Sequence, residues 1–158
     1  MSKVNEAVLV DCPPGRAQAY LVKHFETAGR HRGQAVIKLE ATIGDEAGTH
    51  VTIKRNAMAT FAPISGAGGL EYQVRIDWTP LTNEPLPTFD GIFRVQWDEE
   101  YGKCRLVLEG NYEPPLGVIG KAFDAAVGHR VAQSTMKTLL EELRSEIESA
   151  HRKDVDKT

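Results

Sequence analysis

Tyr112-Glu113-Pro114-Pro115-Leu116-Gly117 opens a stretch whose apolar residues recur to Ile147, and every other segment is easiest to place relative to it. Two prolines ahead of an apolar-periodic run suit a helix start, because the first turn has no internal partners for its N–H groups. Apolar side chains follow at Leu116, Ile119, Ala122, Phe123, Ala126 and Val127, then at Val131, Ala132, Met136, Leu139, Leu140, Leu143 and Ile147. Most steps are three or four residues, the signature of a helix with one greasy stripe. Unbroken, such a helix is about 45 Å long at 1.5 Å per residue. The stripe before Gly128 is centred on a different face from the stripe after it. A bend at this glycine lets both halves press on one curved surface, with a functional hinge as the other reading.

Upstream, the period changes. Val4 to Asp11 reads as a first strand, stopped by Pro13-Pro14-Gly15. Arg16 to about Thr27 has helical spacing, with Ala17, Tyr20, Leu21, His24 and Phe25 on one stripe. Gly29 and Gly33 end that helix around Arg30, His31 and Arg32, whose charges suit a helix C-terminus and leave an anion site as the less economical reading. From Gln34 to Tyr112 apolar and polar residues alternate, which is the strand signal. Five segments result: 35–43; 51–61; 70–78, with Leu70, Tyr72, Val74, Ile76 and Trp78 on one face; 89–97, with Phe89, Phe93, Val95 and Trp97; and 104–112, with Cys104, Leu106, Leu108 and Tyr112. The connections at 44–48, 65–69, 79–87 and 98–102 are rich in glycine, proline or acids. Such short links predict an antiparallel meander. Asp98-Glu99-Glu100 is a solvated turn, since metal binding needs converging ligands. His151 to Thr158 reads as a polar, frayed tail after a single domain over 1–150.

The bulk properties exclude several classes. The 158 residues carry a net charge of −3, with 26% charged side chains and no basic stripe, which argues against nucleic-acid binding. No apolar run reaches the roughly 20 residues a membrane span needs. The N-terminus has no secretory core, so the cytoplasm is the expected compartment. Two cysteines are too few for a disulfide scaffold or a cysteine zinc site. HExxH, GxxxxGK and GxSxG motifs are absent, and no cofactor is indicated.

A twisted antiparallel sheet of about six strands curls, and the long helix is the one element able to cover its concave face. That face carries Phe61, Tyr72, Trp78, Phe93, Trp97 and Tyr112 opposite small helix residues such as Ala122, Ala126 and Ala132. Either a gap survives there for a small molecule, or the rings fill the space. Arg55 alternates in step with Ile53 and Ala57, so an inward guanidinium meets a ligand acid, meets a protein carboxylate, or turns out at a bulge. His24 is a candidate general base or a packed histidine. Phe123 is a candidate cavity wall from the helix. His129 and Arg130 read as solvent-facing.

Leu108-Glu109-Gly110-Asn111-Tyr112-Glu113-Pro114-Pro115-Leu116-Gly117-Val118-Ile119-Gly120, with Asp124, Gly128-His129-Arg130 and Leu139 to Leu143, resembles bacterial polyketide cyclase and dehydrase proteins of the START-like (SRPBCC) superfamily. The resemblance implies an α+β helix-grip fold: a curved antiparallel sheet of six to seven strands wrapped around a long C-terminal helix. It also implies a cavity for a small hydrophobic or amphipathic molecule. Carrier or sensor, cyclase-like enzyme, and interaction domain with a filled core are the three functions it leaves open. The sequence departs from the family in a shortened helical region after the first strand and in showing six strands where seven are usual, with 49–63 the place for a split. First and last strands pair antiparallel in such proteins, which implies that Cys12 and Cys104 are neighbours.

Overall fold

The computed structural model describes residues 2–28, 34–44, 50–63, 72–81, 88–98, 102–113 and 125–156, and within these the side chains of 2, 28, 41–44, 50–53, 55, 63, 80, 125–128 and 156 are left aside. The chain runs β1 (Ser2–Val10), α1 (Pro14–Ala28), β2 (Gln34–Gly44), β3 (His50–Pro63), β4 (Tyr72–Pro80), β5 (Thr88–Trp97), β6 (Cys104–Glu113) and α2 (Ala125–Asp156). Every pairing is antiparallel, in the order β1-β6-β5-β4-β3-β2. The five-strand meander predicted from the alternation is therefore present, and the first strand closes it beside the last. β3 is one continuous strand of 14 residues rather than two pieces.

The long helix touches β1 and β2, the two strands at opposite ends of the pairing order, as well as β6. A flat six-stranded sheet would hold its edges far apart, so contact with both requires the sheet to curl around the helix. The stripe that faces the sheet is Val131, Ala132, Met136, Leu140, Leu143 and Ile147, all buried. Thr135 lies in the same stripe and is only 1% exposed. Its hydroxyl donates to the Val131 carbonyl at 2.7 Å, which satisfies a polar atom the apolar periodicity gave no reason to place there.

Two boundaries differ from the sequence reading. α1 begins at Pro14, not Arg16, because the Pro13 carbonyl already accepts from Arg16 and Ala17 at 3.1 and 3.0 Å. The prolines that end β1 thus also start the helix. α2 continues to Asp156, so 151–156 is helix and not a frayed tail. Half-buried Ala150 and His151 face α1 there, and Lys153 in the last turn complements the helix dipole. The basic knot at 30–32, the turns at 45–48 and 65–69, Glu99-Glu100 and the helical start at 114–124 fall outside the described residues. So does the first half of the bend expected at Gly128.

Among the described residues no helix is long and apolar enough to cross a membrane.

Candidate functional site

Antiparallel register sets side chains of neighbouring strands side by side on one face. Across the concave face this gives the row Tyr112 (β6), Phe89 (β5), Trp78 (β4), Ala59 (β3) and Ala35 (β2). The three aromatic members are 3%, 3% and 2% exposed. Phe89 stacks on Trp78 with centroids 4.4 Å apart. One register step further lie Ile76, Gly91, Gly110 and Val4. Gly91 and Gly110 face each other across β5 and β6: a Cβ on Gly91 would strike the Glu109 carbonyl and sit 2.6 Å from the Phe89 ring. The bare Cα of Gly91 therefore leaves the space into which Phe89 leans.

Two polar groups stand out on this row. The Tyr112 hydroxyl lies 3.3 Å from His129 Nδ1 on α2, so His129 is drawn into the sheet–helix interface rather than facing solvent. Arg130, its neighbour, is exposed as expected. Trp78 Nε1 is buried and has no hydrogen-bond partner among the described residues. Buried polar groups are nearly always paired, so an orphaned indole N–H invites an explanation.

α1 covers another part of the concave face. Phe25 of α1 lies over Phe61 and Phe93 with centroids 5.1 and 5.7 Å away, and all three are buried. Phe61 and Phe93 are packed core here, because α1 supplies a ring that fills the space between them. Tyr72 is half-buried, and its hydroxyl pKa is raised by burial and by the charge of Glu26. Trp97 corrects its sequence reading. It shares the alternation of Phe89, Phe93 and Val95, yet it is 67% exposed. Alternation assigns a face, but it cannot say whether anything covers the last residue of a strand. Arg55 pairs in register with buried Leu39, while its side chain, like all of Phe123, falls outside the described residues.

His24 belongs to a different hollow. A groove of about 700 Å³ separates α1 from the last turns of α2. Its floor is Cys12, Ala19, Tyr20, Ile147 and Ala150, and its polar margin is Arg16, Lys23, His24, His151 and Asp154. Tyr20 stacks on His24, donates to Glu146 at 3.2 Å, and has its pKa raised by burial and by that carboxylate. His24 Nδ1 is 4.0 Å from the same Glu146. Sequence spacing found His24 through the α1 stripe, but nothing local ties it to His151, which the fold alone brings opposite.

Cys12 and Cys104 are free thiols, both buried. Cys104 pairs in register with Val10, two residues before Cys12, and the implied adjacency holds. Burial pushes the Cys12 thiol up to about 11 against the opposing pull of Arg16. Burial, and then neighbouring Cys12, pushes Cys104 up to about 12. Neither is a thiolate near neutrality, which makes both poor nucleophiles. Among the described residues no three His, Cys, Asp or Glu side chains converge as metal ligands do.

No protein-family model matches the sequence, and no curated protein resembles it. Solved structures do. A conserved protein from Geobacillus kaustophilus superposes with a TM-score of 0.53 at 13% identity, over 95% of this chain and 97% of its own. A Thermus thermophilus protein gives 0.52 at 16% identity, over 94% and 99%. Ara h 8.0201 gives 0.51 at 13% identity, over 94% and 98%. Identities this low speak to fold. With both sheet edges closed on α2 and the likeness running nearly end to end, this chain has the START-like, or Bet v 1-like, helix-grip fold.

Proposed function

We propose that the chain binds a small hydrophobic or amphipathic molecule between the concave sheet and α2, acting as a carrier or sensor. The observation that carries this reading is the orphaned Trp78 Nε1 in an otherwise apolar aromatic row beside the Tyr112–His129 pair. An unpaired buried donor costs about 1–3 kcal/mol. A ligand oxygen accepting from the indole would recover that cost while its apolar body lies on Phe89 and Tyr112. Small-molecule sites have this make-up: apolar walls and a few polar groups that fix orientation. Arg55 and Phe123 remain candidate ligand contacts from β3 and from the segment before α2.

The test is to equilibrate the purified protein with cell extract, identify co-purifying molecules by native mass spectrometry, and follow melting across a library of apolar and amphipathic compounds. The reading expects a bound species whose affinity falls in Trp78→Phe. A protein that stays ligand-free and shows no thermal shift across the library sinks it.

One observation favours an enzyme reading of the same site. A phenol and an imidazole 3.3 Å apart can exchange a proton, which a cyclase-like reaction on a folded, reactive chain requires. Turnover of a poly-ketone substrate that disappears in His129→Gln, with binding retained, would separate enzyme from carrier.

A further inference from the structure

The groove between α1 and the end of α2 is separate from the sheet–helix ligand site proposed above, and its chemistry differs. Its volume of about 700 Å³ suits a small organic molecule. The floor is apolar, with Ile147 at 1% exposure and Cys12 at 1%. Arg16 and Lys23 both line it from α1, and two helical turns separate them along one wall. Arg16 is close enough to Cys12 for its charge to offset part of the effect of burial on that thiol, where Asp11 and Glu148 act more weakly in the opposite sense. Asp154 is the one carboxylate among the described lining residues. Glu146 lies nearby, but its carboxylate already accepts from Tyr20 and sits beside His24. Glu148 and Asp11 border a neighbouring hollow on another side of His151. Among the described side chains that line the groove itself, two cations, Arg16 and Lys23, therefore stand against one carboxylate.

His151 adds an independent sign. Its Nδ1 is buried and has no hydrogen-bond partner among the described residues, and the ring borders both this groove and the neighbouring hollow. In the Nδ1–H tautomer that atom donates to an incoming oxygen, and an anionic acceptor forms the stronger bond.

We propose that this groove binds an organic anion with an apolar body, a carboxylate or sulfonate on a hydrocarbon or aromatic frame. The body lies on Tyr20, Ala19, Ile147 and Ala150, and the head meets His151 Nδ1 with Arg16 and Lys23 supplying the charge. This site is distinct from the ligand site proposed above and does not depend on it.

Anilinonaphthalene sulfonate is a suitable probe, titrated by fluorescence against the full chain. The charge-reversal variant Arg16→Glu/Lys23→Glu changes two exposed residues and leaves the core untouched. Affinity is expected to fall at least about fivefold, since each reversal replaces a weak attraction by a repulsion. Ala19→Trp, also at an exposed position, fills the groove and should weaken the probe comparably. The His151 imidazole resonance should move during the titration of the parent protein. Affinities within about twofold of the parent in both variants would place the probe elsewhere and overturn the proposal. So would tighter binding of a naphthyl quaternary ammonium than of the sulfonate.

Discussion

Gly91→Ala is the sharpest test of how the sheet presents its aromatic row. The new methyl would meet the Glu109 carbonyl, come within 2.6 Å of the Phe89 ring, and within 2.9 Å of Gly110 Cα. Two of those obstacles are backbone and cannot swing aside. Forcing a methyl into a closed space costs about 1–3 kcal/mol. If Phe89 is also lifted from Trp78, an aromatic contact worth about 0.5–1.5 kcal/mol is lost. Together these amount to roughly 1.5–4.5 kcal/mol. For a domain of this length that corresponds to a fall in melting temperature of roughly 5–15 °C. Urea and thermal unfolding by circular dichroism would measure it. Near-ultraviolet ellipticity in a Trp97→Phe background would leave Trp78 as the one tryptophan contributing to the signal. Gly15→Ala is the control: its added Cβ meets nothing within 4 Å in α1, so it should be neutral or slightly stabilising. A Gly91→Ala protein that melts within about 2 °C of the parent, with its near-ultraviolet signal unchanged, would show that the strands do not need this close approach.

Trp97→Ala should change stability by less than about 1 kcal/mol, because the side chain is 67% exposed, whereas Trp78→Ala at 2% should cost about 3–5 kcal/mol; equal losses in chemical denaturation would contradict the assignment of faces. Met136→Ala, at 0% exposure in the gripping stripe, should cost about 2–5 kcal/mol and exposed Lys137→Ala almost nothing, as read by the same denaturation curves. The two thiols should resist a thiol reagent at pH 8 in the native protein and react on unfolding; fast native reaction would refute their burial. Their linkage has a definite sign. Both folded pKa values are raised above the ordinary thiol value of 9.0, so between pH 9 and about 11 to 12 the unfolded chain holds fewer protons than the native one. Stability should therefore be insensitive to these groups below pH 9 and fall as pH rises through that window, a fall that Cys12→Ala/Cys104→Ala reduces, leaving the part due to Tyr20 and Tyr72, whose pKa values are also raised.

The alternation of Tyr72, Val74, Ile76 and Trp78, the three-four spacing from Val131 to Ile147, and the short turns between strands were enough to establish an antiparallel meander and one long helix. These are local quantities, because side-chain direction repeats every two residues in a strand and every 3.6 in a helix. The sequence accordingly determined the elements, the inner face of each strand, and, through its resemblance, the grip. What it could not determine depends on where elements meet. Trp97 obeys its strand's period but is largely exposed, and Phe61 and Phe93 are packed beneath Phe25, which reaches them from α1. His129 finds Tyr112 across the sheet–helix interface, and His24 finds a groove with His151. Such encounters join residues far apart in the chain. They are fixed only when the sheet has curled and both its edges have closed on α2, which is why only the tertiary structure decided them.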